Sequence, residues 1–114
     1  MFLKNYQVEE KDFELLFSKF RRVEYAKGEI IIGADRLSDE IFLVESGLTR
    51  GYFWDTKGNE VTECFGVSGD LFASMFCYFK GEPAFLQYEA VTQMVLYSIR
   101  KDDLEELCRQ NLAI

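Results

Sequence analysis

Ser68-Gly69-Asp70-Leu71-Phe72-Ala73, followed by an aromatic run and then Gly81-Glu82-Pro83-Ala84, Tyr88-Glu89-Ala90-Val91 and Leu96-Tyr97-Ser98-Ile99, sets the architecture of this chain. A Gly-acid-Leu turn, a short apolar segment, a Gly-x-Pro turn and two strands succeed one another. Outward from there the same grammar recurs. Glycines punctuate short segments rich in Val, Ile, Phe, Tyr and Trp, the pattern of an all-β sandwich or barrel. Val23-Glu24-Tyr25 and Ile30-Ile31-Ile32 flank a Lys27-Gly28-Glu29 turn, and Ile41 to Val44 reads as a buried strand closed by Ser46-Gly47. Arg50 to Trp54 and Val61 to Phe65 are joined by Asp55-Thr56-Lys57-Gly58-Asn59, a hairpin loop in which glycine takes the positive φ. Gln87 to Val91 and Val95 to Ile99 complete the strands.

Helical spacing appears at three places. From Val8 to Phe20 the apolar residues Val8, Phe13, Leu16, Phe17 and Phe20 share a face, with acids early and Lys19, Arg21 and Arg22 late, as the helix dipole favours. Asp70 to Phe79 reads as a short helix with Asp70 near its amino end, and Lys101 to Gln110 as a closing helix with a Leu104, Leu107, Cys108 stripe. The expected fold is α+β and mainly β, a double-stranded β-helix or jelly roll with flanking helices.

Composition removes several function classes. The 114 residues carry 48% hydrophobic and 29% charged side chains, a folded single-domain balance. The net charge of −7 comes from 20 acidic against 13 basic residues, the latter scattered, so most of the surface repels nucleic acid. There is no histidine, which removes the commonest metal ligand and general base. Three dispersed cysteines give neither a disulfide framework nor a four-cysteine iron–sulfur site. No apolar run approaches the roughly 20 residues that cross a bilayer. A cytoplasmic chain without cofactor or membrane contact is expected.

The ordered set Tyr25-x-Lys27-Gly28-Glu29-x-Ile31, Asp39-x-Ile41-Phe42-x-Val44-x-Ser46-Gly47-x-x-Arg50, Gly69-Asp70-Leu71-Phe72 and Gly81-x-Pro83 resembles the sensory domain of the Crp/Fnr-type bacterial transcription regulators. Nearly the whole chain is covered. The resemblance implies a cyclic-nucleotide-binding β-roll whose pocket is capped by the short helix after Gly69. It implies the domain plan 1–22 helical, 23–100 β-roll and 101–114 helix leading towards an absent dimerisation helix and DNA-binding domain. DNA contact through that missing domain only, a homodimer in the full-length protein and a small-molecule effector follow from it.

The departures bear on the ligand. Nucleotide-binding members carry Gly-Glu-Leu and then Arg-Ser-Ala or Arg-Ala-Ala, the glutamate accepting from the ribose hydroxyl and the arginine pairing with the phosphate. Here Asp70 stands for the glutamate, Ala84 for the arginine, and Phe85 and Leu86 for the small neighbours. A buried phosphate without its guanidinium loses charge-assisted bonds of about 1.5–3 kcal/mol each. Cyclic AMP is therefore not expected to bind in the usual way. The candidate ligand-binding residues are Gly69, Asp70, Leu71, Phe72, Ala84, Phe85 and Gln87, with no catalytic or metal-ligating residue.

Each has a structural alternative. Asp70 is read first as a helix N-cap, and Phe72, Phe76, Phe79 and Phe85 first as core. Only one of Gln87 and Tyr88 faces inward. Backbone N–H groups of Gly69-Asp70-Leu71 offer a weak anion site. Cys64 and Cys77 read as packed thiols, and Arg50 as a strand residue or a carboxylate's partner. The favoured function is a ligand-sensing, non-enzymatic domain of a transcription regulator. The alternatives are a stand-alone regulatory module or, least favoured, a cupin-type enzyme with an all-carboxylate site from Asp70, Glu82 or Glu89.

Overall fold

The computed structural model describes residues 17–110. One sheet has the order β1 (Arg21–Tyr25), β8 (Met94–Arg100), β3 (Glu40–Ser46), β6 (Leu71–Phe72). The other has β2 (Ile30–Ile32), β7 (Gln87–Ala90), β4 (Thr49–Trp54), β5 (Glu60–Gly66), so β5 is an edge strand. Every pairing is antiparallel, and β1 with β8, β2 with β7, β3 with β6 and β4 with β5 nest inside one another. That nesting is a jelly roll, as expected. A single π-helical turn, Phe76–Lys80, follows β6, and helix α1, Lys101–Gln110, follows β8.

The unbroken apolar run of β3 explains the layering. Side chains alternate across a strand, so a run without polar residues must be covered on both faces. Phe42 and Val44 point between the sheets towards Ile32, Tyr88 and Ala90. Leu43 points to the other face, where Ile99 and Leu107 of α1 bury it with Phe17, Phe20, Tyr97 and Leu104. Leu107 has no exposed surface, and truncating such a residue costs about 2–5 kcal/mol.

The β4–β5 hairpin forms as its sequence predicts. Gly58 takes φ +83°, and the Asp55 carboxylate accepts the Lys57 and Asn59 backbone N–H groups at 2.9 Å each. Those donors, Asn59 first, hold the Asp55 carboxyl below its usual range.

Three expectations need correction or placement. The Val8–Phe20 helix lies mostly outside the described residues, with residues 17–19 helical. The β-roll begins at Arg21 rather than Val23, because Arg21 and Arg22 pair with Ser98 and Tyr97 across β1–β8. The segment Asp70–Phe79 is not one helix: Leu71 and Phe72 pair with Leu43 and Phe42, and helical structure starts only at Met75.

Candidate functional site

A cleft opens where β6 and the segment leading to the π turn face the second sheet. Its larger part, ≈ 320 Å³, has Thr49 from β4, Cys64 and Phe65 from β5, Asp70 and Phe72 beside β6, and Tyr88 from β7. Its smaller part, ≈ 190 Å³, adds Glu63, Ser74, Phe76, Phe85 and Leu86. Ala73, Met75 and Tyr88 belong to both.

Tyr88 is the inward member of the Gln87–Tyr88 pair. It is 8% exposed, its ring stacks on Phe72 at 4.9 Å, and the Cys64 thiol donates to its hydroxyl at 3.8 Å. Burial first, and the Cys64 bond second, push its pKa well above the ordinary value, so it stays a neutral phenol at physiological pH. The Glu63 carboxylate adds to that upward push, which places its charge within reach of the same space.

The expected site residues divide. Asp70, Leu71, Phe72 and Phe85 line the cleft; Gly69, Ala84 and Gln87 do not. Gln87 is committed elsewhere, accepting from the Ala34 N–H at 3.2 Å and donating to the Tyr52 hydroxyl at 2.9 Å. Ala84 is 1% exposed, and its N–H donates to the Arg36 carbonyl at 2.8 Å while its carbonyl accepts from Asp35 at 2.9 Å.

Asp70 is not a helix N-cap. Its carboxylate accepts the Val67 N–H at 2.8 Å and closes the turn before β6; Ser74 is the residue that accepts at the π turn, from the Cys77 N–H at 3.3 Å. Nor are the Gly69 and Asp70 N–H groups free for an anion, since they donate to the Val44 and Val67 carbonyls at 2.9 Å each. Phe72 is core, as expected, but Phe76, Phe79 and Phe85 are 40%, 71% and 51% exposed. Phe85 contacts Phe53 and Phe76, with ring centroids at 5.1 and 6.1 Å.

Arg50 lines neither part of the cleft. It donates to Glu89 at 2.6 Å and Glu60 at 2.7 Å and lies 4.0 Å over the Tyr52 ring. The bonds to Glu60 and then Glu89 raise its pKa further. Cys77 is buried and packed, accepting from the Ser38 N–H at 3.4 Å. Among the described residues no three Cys, Asp or Glu side chains converge as metal ligands. Glu63, Cys64, Met75 and Tyr88 were not among the expected site residues. Alternation along β5 and β7 is the signal that finds Cys64 and Tyr88; nothing comparable in the sequence marks Glu63 or Met75.

The sequence pattern of the cyclic nucleotide-binding domain matches residues 22–111. The chain belongs to that family. Cyclic nucleotide-binding domains are regulatory modules, and the structural neighbours of this one include Crp/Fnr-type regulators. The catabolite activator protein of Thermus thermophilus is similar at TM-score 0.82 and 25% identity, over 90% of this chain and 48% of that one. The c-di-GMP-responsive global regulator CLP of Xanthomonas campestris has TM-score 0.79 and 16% identity, over 92% and 51%. The sensor domain of the regulator DNR from Pseudomonas aeruginosa has TM-score 0.81 and 14% identity, over 98% and 74%. This cyclic nucleotide-binding domain thus spans about half the length of the Thermus and Xanthomonas proteins. No curated protein matches its sequence. No helix among the described residues is long and apolar enough to cross a membrane.

Proposed function

We propose that this chain is the small-molecule-sensing domain of a Crp/Fnr-type transcription regulator, and that its cleft does not hold cyclic AMP in the usual way. The observation that carries the reading is the charge of the cleft. Among the described residues its only ionisable carboxyls are Glu63 and Asp70, and no Lys or Arg lines it. Position 84, where the family's phosphate-pairing arginine is expected, holds a buried alanine. A phosphate in the cleft would find no guanidinium to pair with and would sit among acids.

The route from cleft to output runs through Lys101, the first residue of α1. Its ammonium donates to the Tyr78 carbonyl in the π turn at 2.7 Å, and its N–H donates to the Asp39 carbonyl at 2.7 Å. A ligand seated against Met75 and Phe76 has a preferred position of that turn, and so biases how α1 docks. In the full-length protein α1 would lead to a dimerisation helix and a DNA-binding domain. A ligand shifts such an equilibrium only by its differential affinity for the two states.

Calorimetric titration of cyclic AMP and cyclic GMP into the chain tests the exclusion. Binding weaker than about 1 mM is expected; a stoichiometric site tighter than about 10 µM would refute it.

A further inference from the structure

We infer that the cleft is a site for an organic ammonium: a small ligand bearing a protonated or quaternary amine on an apolar body. The inference deepens the proposed function and rests on the reading that this cleft is the sensor's ligand site. Three observations converge.

The first is the wall chemistry. Phe76 and Phe85 stand at the smaller part of the cleft with their rings inclined at 56°, and both are exposed. Tyr88 closes the inner side. An aromatic ring attracts a cation through its quadrupole, the physical basis of aromatic cages for quaternary ammonium groups. The Met75 thioether, part of the same wall, adds a polarisable contact.

The second is the charge. The carboxylate at this end is Glu63, with Asp70 in the adjoining part and no lining Lys or Arg among the described residues. The rings and the two carboxylates favour a cation over an anion, and the one ammonium near this wall, that of Lys80 on the exposed π turn, is not itself a lining group. The net charge of −7 points the same way at long range.

The third is internal. The Lys80 ammonium already lies over the Phe76 ring, 5.4 Å from its centroid. That contact shows that a face of the Phe76 ring takes an ammonium, and a ligand amine on the same face has to displace the exposed Lys80 side chain.

The test is a pair of isosteres. Choline and 3,3-dimethylbutan-1-ol have the same shape, but only choline carries charge. Each is titrated into the labelled chain by NMR, following the backbone amides of Glu63, Met75, Phe76, Phe85 and Tyr88, with cyclic AMP as a third arm. Saturable shifts at those amides with choline are expected, with binding about tenfold weaker for the neutral isostere. Phe85→Leu, which keeps apolar bulk but removes a π face, and Glu63→Gln, which removes charge alone, should each weaken choline several-fold. Unchanged melting temperatures in both variants would show that the loss is not unfolding. Equal binding of the two isosteres overturns the ammonium assignment while the sensor reading stands. So does the absence of any shift with choline at about 50 mM, far above an ordinary ligand affinity. Tight binding of cyclic AMP at these amides overturns the ammonium assignment and the exclusion of cyclic AMP, and leaves the cleft as the sensor's ligand site.

Discussion

Replacing Gly51 by alanine sets two physical effects against each other with opposite signs. Gly51 lies in the interior of β4, opposite Cys64 of β5 and Tyr88 of β7. Strand glycine is disfavoured, so conformational entropy alone predicts that alanine stabilises by about 0.5–1 kcal/mol. Packing predicts the reverse. A Cβ at this position would lie 2.8 Å from the Cys64 sulfur and 2.9 Å from Cε1 of Tyr88. Tyr88 cannot easily move, because it is stacked on Phe72 and nearly buried. Overpacking of this kind costs about 1–3 kcal/mol. The steric effect wins, with a net loss of about 1–2 kcal/mol and a melting temperature lower by about 8 °C. Thermal melts followed by circular dichroism, with urea titrations to check that the m-value is unchanged, measure it. Gly58→Ala is the comparison. There a Cβ meets nothing within 4 Å, and only the positive φ of +83° is strained, so its loss should stay near 1 kcal/mol. A Gly51→Ala protein melting at or above the parent would refute the close approach of β4 to Tyr88, and with it the inner wall of the cleft.

Two further outcomes follow from bonds already described. Asp70→Ala should cost about 1 kcal/mol and raise hydrogen exchange at the Val67 amide, whereas Asp70→Asn, which can still accept that bond, should stay close to the parent. An Asn variant as damaged as the Ala variant would show that the charge, not the turn, is what matters at this position. At alkaline pH the sign comes from the tyrosines. Tyr88, Tyr25 and Tyr78 are all raised above the ordinary 10.0, each first by burial. The folded state therefore holds these protons where the unfolded chain has lost them. That stability is complete below pH 10 and lost as pH rises beyond it. Urea-derived stabilities from pH 8 to 11.5 should fall above pH 10, less steeply in Tyr88→Phe; a flat profile in the parent would contradict the burial of these phenols.

The jelly roll was legible because its strands announce themselves locally. Gly58 within a polar loop and the all-apolar Ile41–Val44 run each admit one structural solution. The region from Asp70 to Phe85 was less so, for two reasons. An aspartate beside glycine can accept from a turn N–H or cap a helix, and the choice depended on whether Leu71-Phe72 found a partner in β3, a contact distant in sequence. Phenylalanines at 72, 76 and 79 read as one helical face only if the backbone is helical throughout. Once the chain runs as strand and then as a π turn, that face divides: Phe72 goes to the core, while Phe76 and Phe79 remain at the surface. The strapping of Ala84 to the Asp35–Arg36 loop was not legible, because nothing local marks that pairing.

The edge position of β5 carries its own consequence. Among the described residues no strand pairs with its outer edge, which can therefore template a neighbouring strand, and Val61 and Phe65 are exposed. Glu60 and Glu63 sit on that same rim, so a second molecule approaching in like register meets carboxylate against carboxylate. Neutralising Glu63 weakens that mutual repulsion, and edge-to-edge strand pairing into larger aggregates becomes the failure to watch for in concentrated solution.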